Sequence, residues 1–269
     1  MLALIAGTGL LPGLLCARLA ENGEVPLVCE MAGFAPDLPP DLPRLPFRLE
    51  TLGSLIGALR SRGVERVCLA GAVRRPVIDP AAIDAATVPL VPRLKAALGK
   101  GDDGALREIV GLFEEAGMEV VGAHDIVPEL LPPAGHYAGP APGEALKADA
   151  ALAEAVVAEL GAADLGQACA VRGGRVLAQE GPEGTAAMLA LLTPDGPRTG
   201  LLYKAAKPGQ DRRVDLPAIG PQTPMSVAEA GLGGIVVEAG GVVVLDLARV
   251  IDRCRDLGLT LWIRDRSAP

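Results

Sequence analysis

The chain has 269 residues, half of them hydrophobic, yet aromatics make up only 2%. Leu, Val, Ile and Ala must therefore build the core, and a base-stacking nucleic-acid surface is disfavoured for want of aromatic planes. The formal net charge of −8 also argues against non-specific nucleic-acid binding, which needs a broad positive field, but it leaves room for a local basic anion site.

In chain order, the apolar run Leu2 to Ala6 reads as a strand that ends in Gly7-Thr8-Gly9. Leu10 to Ala20 reads as a helix and Val25 to Cys29 as a second strand. Leu55 to Arg62 is helical, and Val67 to Ala70 is a third strand ending at Gly71. Ile83 to Leu98 is a helix that Pro89 and Pro92 must bend or split. Ala105 to Ala116 is a helix with Asp102 or Asp103 placed to cap it, and Glu119 to Val121 is a fourth strand. Strands alternating with helices imply a parallel sheet covered on both faces.

The pattern fails over Pro128 to Pro142, where five prolines alternate with glycines. The expected organisation is a Rossmann-like parallel-sheet domain over 1–131, a linker over 132–143 and a distinct α/β domain over 144–269. In the second half, Ala148 to Leu160 reads as a helix, and Ala168 to Val171 with Arg175 to Gln179 as a hairpin turning at Gly173-Gly174. Glu183 to Leu192 is helical, and Leu201 to Tyr203 is a strand leading into a polar loop. Val227 to Ala230 is a short helix, Ile235 to Val237 and Val242 to Leu245 are strands, Leu247 to Leu257 is a helix, and Leu259 to Ile263 is the last strand.

Cys16, Cys29, Cys68, Cys169 and Cys254 have no C-x-x-C spacing and read as buried small hydrophobes in a reducing compartment. Only His124 and His136 could add imidazole ligands, which disfavours zinc. No apolar run is long enough to cross a bilayer, and the N-terminus lacks a basic leader region, so a cytoplasmic location is expected.

Three places carry candidate chemistry. Gly7, Thr8 and Gly9 lie between a strand and a helix, where backbone N–H groups can hold an anion. Pro12 stands at the third glycine position of the dinucleotide fingerprint, and Glu30 ends the second strand, so a nicotinamide-dependent oxidoreductase stays open beside a ligand-free turn. Arg74 and Arg75 follow the third strand, where two arginines could hold phosphate or simply be exposed. In the third place, Lys204, Lys207, Arg212 and Arg213 against Asp211 give the segment Lys204 to Arg213 a formal charge of +3 within the acidic chain. Asp215 follows four residues after Asp211, and Pro208-Gly209 and Leu216-Pro217 bracket the pair. Cleaving a phosphoanhydride needs positive charge on the phosphoryl oxygens, a placed water and usually a divalent metal held by carboxylates. A charged surface loop is the competing reading. The four serines lie in no G-x-S-x-G, and no Walker or H-E-x-x-H string occurs.

IAGTGLLPG at 5–13, LAGAVRRP at 69–76, GDDGALRE at 101–108, ADLGQACAV at 163–171, EGPEGTAAML at 180–189, KAAKPGQDRRVDLPAIGPQT at 204–223 and AGLGGIVVEAG at 230–240 run in one order along the chain. Together they resemble the UDP-2,3-diacylglucosamine pyrophosphatase family of lipid A biosynthesis, in its alpha-proteobacterial form. The resemblance implies a Mg²⁺-dependent hydrolase that cleaves UDP-2,3-diacylglucosamine to UMP and 2,3-diacylglucosamine 1-phosphate, with peripheral contact with the inner membrane. A homodimer is compatible with it. On this reading Asp211 and Asp215 hold Mg²⁺ or orient water, with Lys207 beside them in catalysis. Lys204, Arg212 and Arg213 neutralise the pyrophosphate, and Gln210 and Thr185 donate hydrogen bonds. Gln167, Gly184, the Gly7–Gly9 loop and Arg74-Arg75 complete the substrate contacts. One departure stands out: the family motif E-G-T-D-A-M has Ala186 where the aspartate would be, so Glu183 is the acid left to serve the metal. A non-catalytic lipid- or nucleotide-sugar-binding relative is the alternative that this departure motivates.

Overall fold

A short apolar run between glycine turns suits a strand buried on both faces. Leu2–Ala6 forms such a strand, β1, at the centre of a parallel sheet. The computed structural model describes residues 1–73, 77–99 and 102–266. By its internal contacts the chain divides into one unit of Met1–Pro128 with Asp211–Asp215, and a second of Glu129–Gln210 with Leu216–Pro269.

The first unit adds β2 (Leu27–Met31), β3 (Arg44–Phe47), β4 (Arg66–Ala70) and β5 (Glu119–Val120). All pair in parallel, in the order β3-β2-β1-β4-β5. This is the strand order of a Rossmann-like open sheet, whose order reverses between β1 and β4. Its helices are α1 (Leu11–Glu21), α2 (Leu52–Ser61), α3 (Val91–Leu98), α4 (Asp102–Glu115) and α5 (Ala123–Ile126). Ala3, Cys29, Val67 and Val120 pack on one sheet face with Leu55 and Leu59 of α2 and Phe113 of α4. Leu2, Leu4 and Ala6 alternate to the other face, and α1 buries Leu15, Cys16 and Leu19.

The Rossmann-like parallel sheet is as expected from sequence, but several elements differ. Strand β3 was not anticipated, because Pro43 and Pro46 argue against a strand interior. At a sheet edge a proline's missing N–H removes no ladder bond that the sheet needs. Residues 83–87 are not helical; Pro89 lies in a 3₁₀ turn over Val88–Leu90, and Pro92 sits in the first turn of α3. Both prolines thus occupy positions where no intrahelical N–H is required. Helix α4 starts at Asp102, so neither aspartate precedes it as expected of a cap.

The second unit contains β6 (Gly135–Ala138), α6 (Glu144–Ala162), β7 (Ala168–Arg172), β8 (Arg175–Gln179), α7 (Gly184–Ala190), β9 (Leu201–Lys204), β10 (Ala218–Ile219), α8 (Thr223–Glu229), β11 (Gly234–Glu238), β12 (Val243–Val244), α9 (Leu247–Leu257) and β13 (Thr260–Arg264). Its main sheet has the order β6-β13-β11-β9-β7-β8. β9, β11 and β13 are mutually parallel, whereas β6, β7 and β8 join antiparallel. β10 and β12 form a separate parallel pair. Helix α6 covers one face through Ala150, Ala153 and Val157. The other face buries Met188 and Leu189 of α7, Val227 of α8, and Val250 and Cys254 of α9.

Within 132–143, read from sequence as a linker, the structure places β6 at the sheet edge, antiparallel to β13. Here again an edge tolerates flanking prolines. The hairpin at Gly173-Gly174 is as expected: both glycines have positive φ, 57° and 74°, as a two-residue hairpin turn requires. Asp149 of α6 accepts both turn N–H groups, at 2.9 and 2.7 Å. All five cysteines are buried and free, and burial pushes the Cys29, Cys68, Cys169 and Cys254 thiols up to about 12. They are inert packing groups, as the sequence implied.

Candidate active site

The apolar strand Leu201-Leu202-Tyr203 is fully buried, and its register carries the next residue, Lys204, to the carboxyl end of the parallel strands while still in β9. Ligands bind at such strand ends in open α/β sheets. The sequence placed Lys204 at the start of a polar active-site loop; it is the last residue of the strand, and its side chain is only 9% exposed. Its Nζ donates to Thr185 Oγ1 at 2.7 Å and lies 3.7 Å from Glu180 Oε1. Thr185, in the first turn of α7, donates its hydroxyl to Glu180 Oε1. Glu180 Oε2 accepts the Gln167 backbone N–H at 2.8 Å. Gln167, Glu180, Thr185 and Lys204 therefore form one polar cluster.

Burial lowers the Lys204 pKa, and the Glu180 carboxylate opposes that shift. A buried ion pair is an expensive way to gain stability, since desolvation consumes most of the attraction. An ammonium has three donors, and among the described residues Lys204 Nζ makes only the bond to Thr185. The Oε1 of Gln167 is buried and has no hydrogen-bond partner. Beyond the bond to Thr185 and the facing Glu180 oxygen at 3.7 Å, the ammonium keeps donor capacity that an anionic ligand would satisfy.

The rest of the basic segment is divided between the units. In the second, Lys207 Nζ donates to Asp164 at 2.7 Å, and Gln210 folds back so that its Oε1 accepts the Lys207 N–H at 3.1 Å. Gln210 is thereby a staple of its own loop. The Ala206 N–H donates to Glu238 Oε2 at 3.0 Å. Glu183 precedes α7, makes no side-chain cap bond and is exposed, as is Ala186. Ala186 faces a groove lined by Leu189, Ala190, Leu192 and Ala230.

In the first unit, both oxygens of Asp211 are held by Arg213, through Nε at 3.0 Å and Nη2 at 2.7 Å. Arg213 Nη1 also donates to Glu114 of α4 at 2.7 Å, and Val214 packs against the core of that unit. The guanidinium keeps the Asp211 carboxyl below the usual carboxylate range. Asp211 and Arg213, expected as metal ligand and phosphate ligand, thus form a structural tie, because each satisfies the other's bidentate geometry. Arg212 is exposed, and Asp215 is half-buried with no side-chain hydrogen bond or ion pair among the described residues.

At the β1–β4 switch point, Gly7 N–H donates to Ala70 O at 2.8 Å and Thr8 N–H to Ala72 O at 3.0 Å. The Thr8 hydroxyl also donates to Ala72 O. These donors are spent on the neighbouring loop, which leaves Gly9 and the start of α1 as the part that could meet an anion. A Cβ on Gly7 would stand 2.6 Å from Ala72 O. Replacing Gly7 by Ala should therefore cost about 1–3 kcal/mol, read as a lower urea midpoint; an unchanged midpoint would show that the two loops do not need this approach. Glu30, the acid expected of a nicotinamide site, is held by Arg44. Arg74 and Arg75 lie outside the described residues.

The donors for a divalent metal can be tested on the same geometry. Among the described residues no three His, Cys, Asp or Glu side chains gather as a metal cage. Of the ligands expected from the sequence, Asp211 and Asp215 lie in the first unit and Glu183 in the second. Magnesium is commonly bound by one or two carboxylates plus substrate phosphates, and among the described residues Asp215 and Glu183 are the expected ligands whose oxygens are uncommitted.

Two residues of the cluster region were absent from the sequence-derived set. Glu180 is the hub of the buried cluster, and Glu238 anchors the start of the basic loop. The signal for Glu180 was its place in the EGPEGTAAML string, where two glutamates open a helix without an evident packing role.

Fold and site define a two-unit α/β protein with a Rossmann-ordered parallel sheet and, in the second unit, a buried lysine-centred polar cluster at parallel strand ends. The LpxI N-terminal domain family matches residues 1–130 and the LpxI C-terminal domain family residues 133–262. The chain belongs to the LpxI family. It is 40% identical over 270 aligned positions to the UDP-2,3-diacylglucosamine pyrophosphatase LpxI of Caulobacter vibrioides, covering 96% of this chain and 95% of that one.

Proposed function

We propose that this chain hydrolyses the pyrophosphate bond of UDP-2,3-diacylglucosamine, releasing UMP and 2,3-diacylglucosamine 1-phosphate in lipid A biosynthesis. The observation that carries the reading is the 40% identity, over nearly the full length, to the Caulobacter pyrophosphatase. The buried ammonium with unspent donors supports it, because anhydride cleavage places extra negative charge on phosphoryl oxygens. In a water-poor site such a charge acts far more strongly than in solvent.

Lys204 and Thr185 would meet the phosphoryl oxygens, and Gln167 Oε1 would accept a substrate N–H or O–H. Lys207 adds charge: its pair with Asp164 is half-exposed on the acid side, so it exchanges readily for a phosphate. Asp215 would orient the attacking water, with Arg212 near it in sequence as a further cation. We also propose Mg²⁺ as the cofactor, held by Asp215 and the substrate's own phosphates; when bound it would neutralise pyrophosphate charge. No helix among the described residues is long and apolar enough to cross a membrane. The reading carries a cytoplasmic protein that meets its lipid-linked substrate at the inner-membrane surface, and leaves a homodimer to be measured by sedimentation.

The test is release of UMP from UDP-2,3-diacylglucosamine in detergent micelles, with and without Mg²⁺ and with EDTA. Metal-dependent UMP release supports the proposal. Saturable binding without release would favour a non-catalytic binder, to which Ala186 would then be the clue.

A further inference from the structure

We propose that Glu180 is a positioning residue of this site, holding the Lys204 ammonium and the Thr185 hydroxyl in one directed hydrogen-bond chain. The inference rests on the proposed hydrolysis for its catalytic meaning, but its structural content stands on the cluster alone.

The direction of the chain follows from donor counting. Lysine can only donate, and an ionised carboxylate can only accept. The bond from Lys204 Nζ to Thr185 Oγ1 therefore uses a hydroxyl lone pair, and the single hydroxyl proton points to Glu180 Oε1. Glu180 in turn is fixed by the Gln167 N–H on its other oxygen. With Glu180 charged, the hydroxyl has one orientation, and the two remaining ammonium protons point away from Thr185. With a neutral group there, the hydroxyl could rotate, and Lys204 would lose the only carboxylate that compensates its burial.

The neighbours of Lys204 confirm that Glu180 acts alone in this. Just before α7, Glu183 makes no bond to the cluster among the described residues. Next to β9, Glu238 is engaged with the Ala206 N–H and with Arg266. On the face covered by α6, Asp149 serves the hairpin turn and Glu154 pairs with Arg264. Burial already lowers the Lys204 pKa and Glu180 is the group that raises it. Loss of that carboxylate lets the lysine shed its proton at lower pH.

The decisive variant is Glu180→Gln, which keeps the shape and the acceptor for Gln167 but removes the charge. We expect the alkaline limb of kcat/KM for UMP release to move down by at least about one pH unit, with activity partly recovered at lower pH. A merely structural residue would lower activity equally at every pH. The Lys204 titration midpoint, followed by NMR of isotope-labelled lysine, should move in the same direction. An unshifted limb with an unshifted midpoint overturns the proposal. If the wild-type chain releases no UMP, the proposed hydrolysis fails while the lysine midpoint still decides the role of Glu180. Should Glu180→Gln fail to fold, Thr185→Val and Thr185→Ser take its place. A tenfold or greater loss with Val that Ser rescues supports the directed chain, and equal activity in the two overturns it.

Discussion

Replacing Lys204 by Met should reduce kcat/KM for UMP release by about 10²–10³-fold, the scale seen when one preorganised donor to a developing oxyanion is lost. Methionine fills nearly the same volume, so the loss would come from the missing charge and not from a cavity. The single substitution should also destabilise the fold, by up to about 3–5 kcal/mol, because it strands the Glu180 carboxylate in a buried site. The double variant Lys204→Met with Glu180→Gln separates the two effects. It removes both charges, and swapping a buried pair for neutral groups is often neutral or stabilising. Its melting temperature should return to or above the wild-type value while its activity stays lost. If the double variant were active, Lys204 would be a structural lysine and the proposed reaction centre would be misplaced. If the single variant were fully active, the unspent donors of Lys204 would have no catalytic meaning.

The expectation is sharp because the same two residues looked so different in the sequence. Lys204 was legible only as one of four cations in a loop with rigid turns. Strand periodicity identified Leu201 to Tyr203, but it could not say that the pairing with β11 continues through Val237 to include Lys204. That one-residue extension changes the lysine from a solvated charge to a buried one. Glu180 was harder still. Its burial depends on β8 returning beside β7 and on Thr185 arriving from α7, and neither long-range approach leaves a mark in local spacing. The architecture itself was more legible, since continuous apolar runs and glycine turns reveal parallel strands wherever they are central. The strands that sequence missed, β3, β6 and the two-residue β10, contain or adjoin prolines, and β3 and β6 lie at sheet edges. There the hydrogen bonding that proline forfeits is not demanded by a neighbour, so composition alone points away from a strand that packing nevertheless forms.

The paired aspartates make the second strong prediction, because the sequence treated them alike and the structure does not. Asp215→Ala should lower turnover by about 10²-fold or more, in the range of general acid–base or water-orienting groups, and leave the melting temperature unchanged. The reason is that its carboxylate makes no side-chain bond among the described residues, so folding has no investment in it. Asp211→Ala should do the reverse in emphasis. It breaks the bidentate tie to Arg213 and leaves that guanidinium with Glu114 alone, at a cost of about 1–2 kcal/mol once the partial exposure of Arg213 is allowed for. The pH dependence has a fixed sign. Arg213 depresses the folded-state pKa of Asp211. The tie therefore stabilises the fold fully above the ordinary aspartate value of about 4, and its contribution fades as pH falls through the depressed value. The stability gap between wild type and Asp211→Asn, measured by urea unfolding, should accordingly be open at neutral pH and close in acid. A gap that persisted unchanged in strong acid would mean that the tie is not ionic. Wild-type turnover in Asp215→Ala would remove the water-orienting role from that residue and shift the search for it to the acids around α7.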